Sequence, residues 1–78
     1  PVFVDTFKIT DQISLKNNHK KLKMINTLNS RNFEGIIFRE PRALPDIITA
    51  VYQLNVNTYR NSRSLQLIIN HWIPCDPD

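Results

Sequence analysis

Seventy-eight residues allow one small domain and leave no room for a second functional unit. With 41% hydrophobic and 22% charged residues the chain is globular rather than disordered, and a formal net charge of +3 suits a polyanionic partner without requiring one. One cysteine, Cys75, excludes an internal disulfide and suits a reducing, cytoplasmic setting, while no apolar run approaches the roughly 18 residues of a membrane helix, so no membrane partner is expected.

Apolar residues recur with period two along most of the chain, and one glycine, Gly35, with few alanines argues against a helical bundle or a glycine-loop nucleotide fold. Phe3, Phe7, Ile9, Ile13 and Leu15, all at odd positions, describe a long first strand, bent or interrupted near Thr10-Asp11-Gln12. Lys16-Asn17-Asn18 reads as a tight turn. In the second strand Leu22 and Met24 share one face, and His19, Lys21 and Lys23 form a basic ladder on the other. Asn26 to Asn32 is a polar loop, expected to be the most mobile connection, and a third strand runs from about Phe33 to Phe38.

Glu40 to Pro45 cannot continue a ladder, because two prolines remove two N–H donors. Asp46 could cap a helical turn through Ile47-Ile48-Thr49, but the alternation of Ala50, Tyr52, Leu54 and Val56 favours a fourth strand from about Ala50. In the fifth, Leu65, Leu67 and Ile69 point one way, with His71 on the same parity as a packed histidine, and Ser64, Gln66, Ile68 and Asn70 point the other way. Trp72 is placed at one barrel end with its indole N–H satisfied nearby. Phe3, Phe7, Phe33, Phe38 and Tyr52 are assigned to the core.

The fold class is therefore all-β, a small five-stranded Greek-key barrel of the OB type over residues 1–73, with 74–78 as a tail carrying an exposed Cys75 thiol. An SH3-like barrel would share much of this pattern. The first residue is not Met and no signal sequence is visible, which suggests a domain excised from a larger protein. Residues 1–45 carry a net +4 and residues 46–78 a net −1, so the basic excess lies in the first half and in one loop of the second.

The order Val51-Tyr52-Gln53-Leu54, Asn57, Tyr59-Arg60, then Ser64-Leu65-Gln66-Leu67-Ile68-Ile69 resembles the C-terminal barrel of RecJ, the bacterial exonuclease specific for single-stranded DNA. The resemblance extends upstream through His19 with Lys21-Leu22 and through Ile36-Ile37-Phe38, and so spans Phe7 to Pro74. Two positions depart from the pattern. Lys20 replaces an apolar residue on a face expected to be buried, and Asn61 stands where the loop usually carries glycine, although Asn tolerates positive φ. The resemblance implies a parent that digests single strands from the 5′ end in recombination and repair with a divalent metal, manganese or magnesium, and implies docking of this barrel beside that parent's catalytic domains.

The chain itself holds none of the family's Asp-His-His motif, and His71 with Cys75 makes an incomplete zinc site, so no catalytic or metal residue and no cofactor are assigned to it. Binding chemistry is better represented. OB barrels receive oligonucleotides on the strand 2 to 3 face and between the loops joining strands 1 to 2 and 4 to 5, where this chain places Lys16, His19, Lys21, Lys23, Tyr59, Arg60 and Arg63. Cationic side chains neutralise phosphates, and a tyrosine face stacks on any base. Solvation of the outer face by Lys21 and Lys23, and structural roles for Asn57 and Gln66, stay open alternatives, as do an RNA-binding barrel and one used for interdomain packing through Ile37, Val51 and Ile68.

Overall fold

The computed structural model describes residues 1–75. Five strands, β1 (Phe3–Ser14), β2 (Lys20–Asn26), β3 (Asn32–Ile37), β4 (Ile47–Tyr59) and β5 (Ser62–Pro74), close in the order β1-β2-β3-β5-β4, the arrangement of an OB-type barrel. All pairings are antiparallel except β3 with β5. Helix is confined, among the described residues, to one 3-10 turn at Lys16–Asn18, and no helix is long and apolar enough to cross a membrane.

Period-two alternation places Phe7 and Ile9 from β1, Leu22 and Met24 from β2, Ile48, Ala50 and Tyr52 from β4, and Leu67 and Ile69 from β5 in one core. Phe7 packs edge-on against Phe33 and Tyr52, with centroids 6.1 and 5.5 Å apart. Burial, followed by the hydrogen bond to Asp5, pushes the Tyr52 phenol up to about 12, so it stays protonated at neutral pH and donates to Asp5 Oδ2 at 2.5 Å.

Two β-bulges reset the alternation. Ile9 pairs with Met24 and Asp11 with Lys23, which leaves Thr10 as the extra residue, its hydroxyl donating to the Lys23 carbonyl at 3.1 Å. Beyond it the parity reverses: Gln12 turns inward and Ile13, expected in the core, is 49% exposed. In β5, Tyr52 pairs with Ile69 and Val51 with His71, so Asn70 is the extra residue. His71 is consequently exposed rather than packed, and Trp72 takes the place against the core.

Other boundaries also move. β4 starts at Ile47 with no helical turn, since the Asp46 carbonyl already accepts the Ile9 N–H at 2.7 Å and draws the segment into the sheet. β3 ends at Ile37, which points inward, and Phe38, read as core, lies beyond the ladder and is 53% exposed. Phe3, also read as core, is 39% exposed, its ring centroid 5.7 Å from that of Tyr52. β5 runs to Pro74, and the half-buried Cys75 donates its N–H to Ile47 at 3.0 Å; the remaining tail, 76–78, lies outside the described residues. Lys20 is buried on the inward face as its position predicts, with Nζ donating to Ser14 Oγ at 3.2 Å.

The proline-bounded link from β3 to β4 seals one barrel end. Leu44 is buried there, its backbone N–H and carbonyl both held at 2.9 Å by the Gln12 side-chain amide. The buried Glu40 carboxylate accepts from Arg42 at 2.9 and 3.0 Å and from the Trp72 indole N–H at 2.8 Å, with the guanidinium lying 4.8 Å from the Trp72 ring centroid. Hydrogen bonding from Arg42, opposed by burial and reinforced by Trp72, holds the Glu40 carboxyl at about 2, below its ordinary 4.5. A depressed carboxyl contributes stability above its unfolded value and loses it as pH falls toward the folded one. Urea denaturation followed by circular dichroism should therefore show stability dropping between pH 4.5 and about 2, with Glu40→Gln flattening that window and costing about 1–3 kcal/mol at pH 7. Equal acid sensitivity in parent and variant would remove Glu40 from this role.

Candidate functional site

The outward residues of β2 do not stand alone. Lys21 lies opposite Ile13 and Ile36, and Lys23 opposite Asp11 and Glu34. Lys21 Nζ is 3.7 Å from Glu34 Oε1, each side chain about half exposed, at 47% and 50%. The basic ladder is thus interleaved with carboxylates on both neighbouring strands, which weakens its field at the sheet surface. An exposed pair of this kind contributes little to stability, so the arrangement leaves both lysines available to solvent ligands.

β3 and β5 pair only from Glu34 to Ile36 with Gln66 to Ile68. Toward Asn32 and Ser64 they diverge, and a groove of about 610 Å³ opens between β3 and the base of the β4–β5 hairpin. Met24, Phe33 and Leu65 supply its apolar lining; Asn32, Asn57, Ser64 and Gln66 supply amides and a hydroxyl; Lys23 and Arg31 supply positive charge, with Glu34 the one acidic group. The bulged Thr10 also lines it. Apolar ground with a few convergent polar groups and two cations is suited to a flat, partly apolar, anionic ligand.

The seven residues singled out from sequence fall in three places. Lys23 lines the groove and Lys21 lies beside it on the outer face. Lys16 and His19 lie in the β1–β2 connection, where the His19 carbonyl accepts the Leu15 N–H at 2.7 Å and Nδ1 accepts the Arg39 N–H at 3.0 Å. Tyr59, Arg60 and Arg63 are at the hairpin tip, where Tyr59 is 68% exposed and the Arg60 guanidinium carbon lies 5.2 Å from its ring centroid. Strand parity separates this last group: Tyr59 shares a face with Asn57 and Ser64, whereas Arg63 pairs with Thr58 on the opposite face.

Sequence reasoning did not single out Arg31, Asn32 and Thr10, and left a structural role for Asn57 and Gln66 open. Arg31 sits in a loop where no periodicity operates, and the groove arises from a long-range parallel pairing that no local pattern announces. Asn57 does accept a hydrogen bond from Asn55 Nδ2 at 3.2 Å, and it also lines the groove.

The hairpin turn itself is strained at an identifiable point. Arg60 and Asn61 are its two central residues, between the paired Tyr59 and Ser62, with φ of 51° and 64°. Two successive left-handed residues define a type I′ connection, which favours Asn-Gly. Replacing Arg60 by Asn together with Asn61→Gly should stabilise the barrel by about 1 kcal/mol in urea denaturation, since left-handed backbone is costly for ordinary side chains. A loss of stability would show that the turn adopts another geometry in solution.

A family model described as the RecJ OB domain matches residues 1–71. The chain is 32% identical over 83 aligned residues to a protein of Haemophilus influenzae named single-stranded-DNA-specific exonuclease RecJ. The alignment covers 97% of this chain but 14% of that relative. No solved structure matches the chain.

Proposed function

Because the chain belongs to the RecJ OB domain family, we propose that it is the single-stranded-DNA-binding barrel of a RecJ-like 5′-to-3′ exonuclease acting in recombination and repair in the cytoplasm. The observation that carries this reading is the groove between β3 and the hairpin, bordered by Lys23 and Arg31 and continued by the exposed Tyr59. Lys23 and Arg31 neutralise backbone phosphates, the amides of Asn32, Asn57 and Gln66 meet base edges, and Tyr59 offers a stacking face. Amides present both donors and acceptors, so binding of this kind tolerates many sequences.

Hydrolysis belongs to other parts of such a parent. On this reading its divalent metal is held by those other parts; among the described residues here no group of three His, Cys, Asp or Glu converges. A second reading rests on a separate observation: Leu54 and Val56 expose 49% and 50% of their surface on the face of the hairpin opposite Asn57 and Tyr59. That face suits packing against the catalytic domains of the parent.

Titrations with labelled single-stranded oligonucleotide should give weak binding, preference over duplex, and a log–log salt slope of about −2 to −3.5, from roughly 0.7 per neutralised phosphate. Lys23→Ala with Arg31→Ala should make the slope shallower by about 1 to 1.5, while Tyr59→Ala should cost about 1–3 kcal/mol with little change in slope. Absence of binding at low salt, or folded variants that bind as the parent does, would hand the groove to solvation and favour the packing reading. With divalent metal added, the oligonucleotide should stay intact; cleavage abolished by substituting His19 or His71 would reveal a catalytic centre in this chain.

A further inference from the structure

At the opposite end of β2 and β3 from the groove, the β1–β2 turn and the residues after β3 enclose a recess of about 520 Å³, lined by Asn17, Asn18, His19 and Arg39. Its backbone is held in an uncommon shape. Asn17, Asn18 and Arg39 all have positive φ, of 64°, 62° and 56°, and the two segments are tied together by Glu40 N–H donating to the Asn18 carbonyl at 2.9 Å. The His19 ring is fixed twice, by the Arg39 N–H donating to Nδ1 at 3.0 Å and by edge-on contact with Phe38 at 5.1 Å between centroids.

The Nδ1 contact decides the chemistry of the ring. An imidazole nitrogen that accepts a hydrogen bond carries no proton, so the neutral ring is protonated at Nε2 and presents a donor there. The recess therefore gathers an imidazole N–H, a guanidinium and two carboxamides, and no carboxylate lines it. The neighbouring carboxyl, Glu40, is turned to Arg42 and Trp72. Donors and one fixed positive charge in an open concavity match a tetrahedral oxyanion.

We propose that this recess is a phosphate-binding site. On the single-strand reading, on which the source of the phosphate rests, it is an anchor for the strand where it leaves the groove. β3 separates the two places by about 17 Å, from five residue steps at roughly 3.3 Å each, so a bound strand crosses the outer face of β3 to occupy both. The chemistry of the recess does not depend on that path, and inorganic phosphate is a ligand in its own right.

Proton–nitrogen correlation spectra of this chain separate the possibilities. Inorganic phosphate should shift the His19 Nε2 and Arg39 Nε signals and leave the Asn57 and Gln66 amides in place, and a single-stranded oligonucleotide should shift both sets. Arg39→Gly removes the guanidinium while easing a left-handed backbone position, so the fold survives the change. It should abolish the phosphate response and weaken oligonucleotide binding on the order of three- to fivefold, the scale of one exposed charge contact, with Arg39→Lys recovering part of the loss. If neither phosphate nor oligonucleotide moves His19 and Arg39 while the oligonucleotide still moves Asn57 and Gln66, the anchor is overturned and the groove reading stands. If phosphate titrates the recess but the oligonucleotide leaves the groove unmoved, the anion site stands and the groove reading fails. A phosphate response that persists in Arg39→Gly overturns the proposal outright.

Discussion

Closure of the barrel rests on three residue pairs, Glu34 to Ile36 beside Gln66 to Ile68, and the rest of the structure is arranged around making that short parallel ladder possible. Gly35 is at its centre, opposite the fully buried Leu22 on one side and Leu67 on the other. A Cβ there would come within 2.6 Å of the Met24 methyl, the far end of a flexible side chain that would have to shift to admit it. The same brevity creates the groove: were β3 and β5 paired over their full lengths, Asn32 and Phe33 would be hydrogen-bonded against Ser64 and Leu65 and no concavity would open. Fold and candidate site thus have one geometric cause.

What the sequence conveyed follows from how far each signal reaches. Alternation is local, and it located all five strands and most of the core, including Phe7, Leu22, Met24, Leu67 and Ile69. It failed beyond each bulge, because an extra residue inverts the later side chains: Ile13 and His71 went outward and Gln12 inward, while Trp72 packs against the core with its indole N–H on Glu40, as expected of it. The first interruption left a trace in the polar Thr10-Asp11-Gln12. The second, at Asn70, left almost none, since one polar residue among apolar ones is ordinary on a strand. Within the site, Lys23 was legible as an outward cation, whereas Arg31 and Asn32 acquire their place from a contact between β3 and β5 across more than thirty intervening residues.

Charge is disposed differently from its distribution along the chain. A basic ladder in sequence becomes, once β1 and β3 are paired to it, a checkerboard in which Asp11 and Glu34 flank Lys23 and Glu34 reaches Lys21. Such a surface discourages strong nonspecific attraction and makes local geometry count for more than net charge. Cations outside this checkerboard include Arg31 at the groove edge and Arg39 at the recess, one at each end of β3, and Arg60 and Arg63 at the hairpin tip.

The hairpin carries the last step of the argument. β1 leaves β4 after Tyr52, and β5 is free of β3 before Gln66, so the outer hairpin is a two-stranded ribbon with both faces open. Such ribbons are marginal in water unless one face is packed. Here alternation puts Asn55, Asn57 and Tyr59 with Ser64 and Gln66 on one face, and Leu54, Val56 and Leu65 on the other, where Thr58 and Arg63 follow toward the tip. The polar face continues into the groove and the apolar face continues from the core residue Leu67. The proposed strand binding and the proposed packing therefore draw largely on different side chains of the same ribbon, with Leu65 shared between them, and burying Leu54 and Val56 would stiffen the support on which Asn57 and Tyr59 are presented. On this geometry the two functional readings are coupled: a partner on the apolar face would hold the polar face in the shape that a single strand requires.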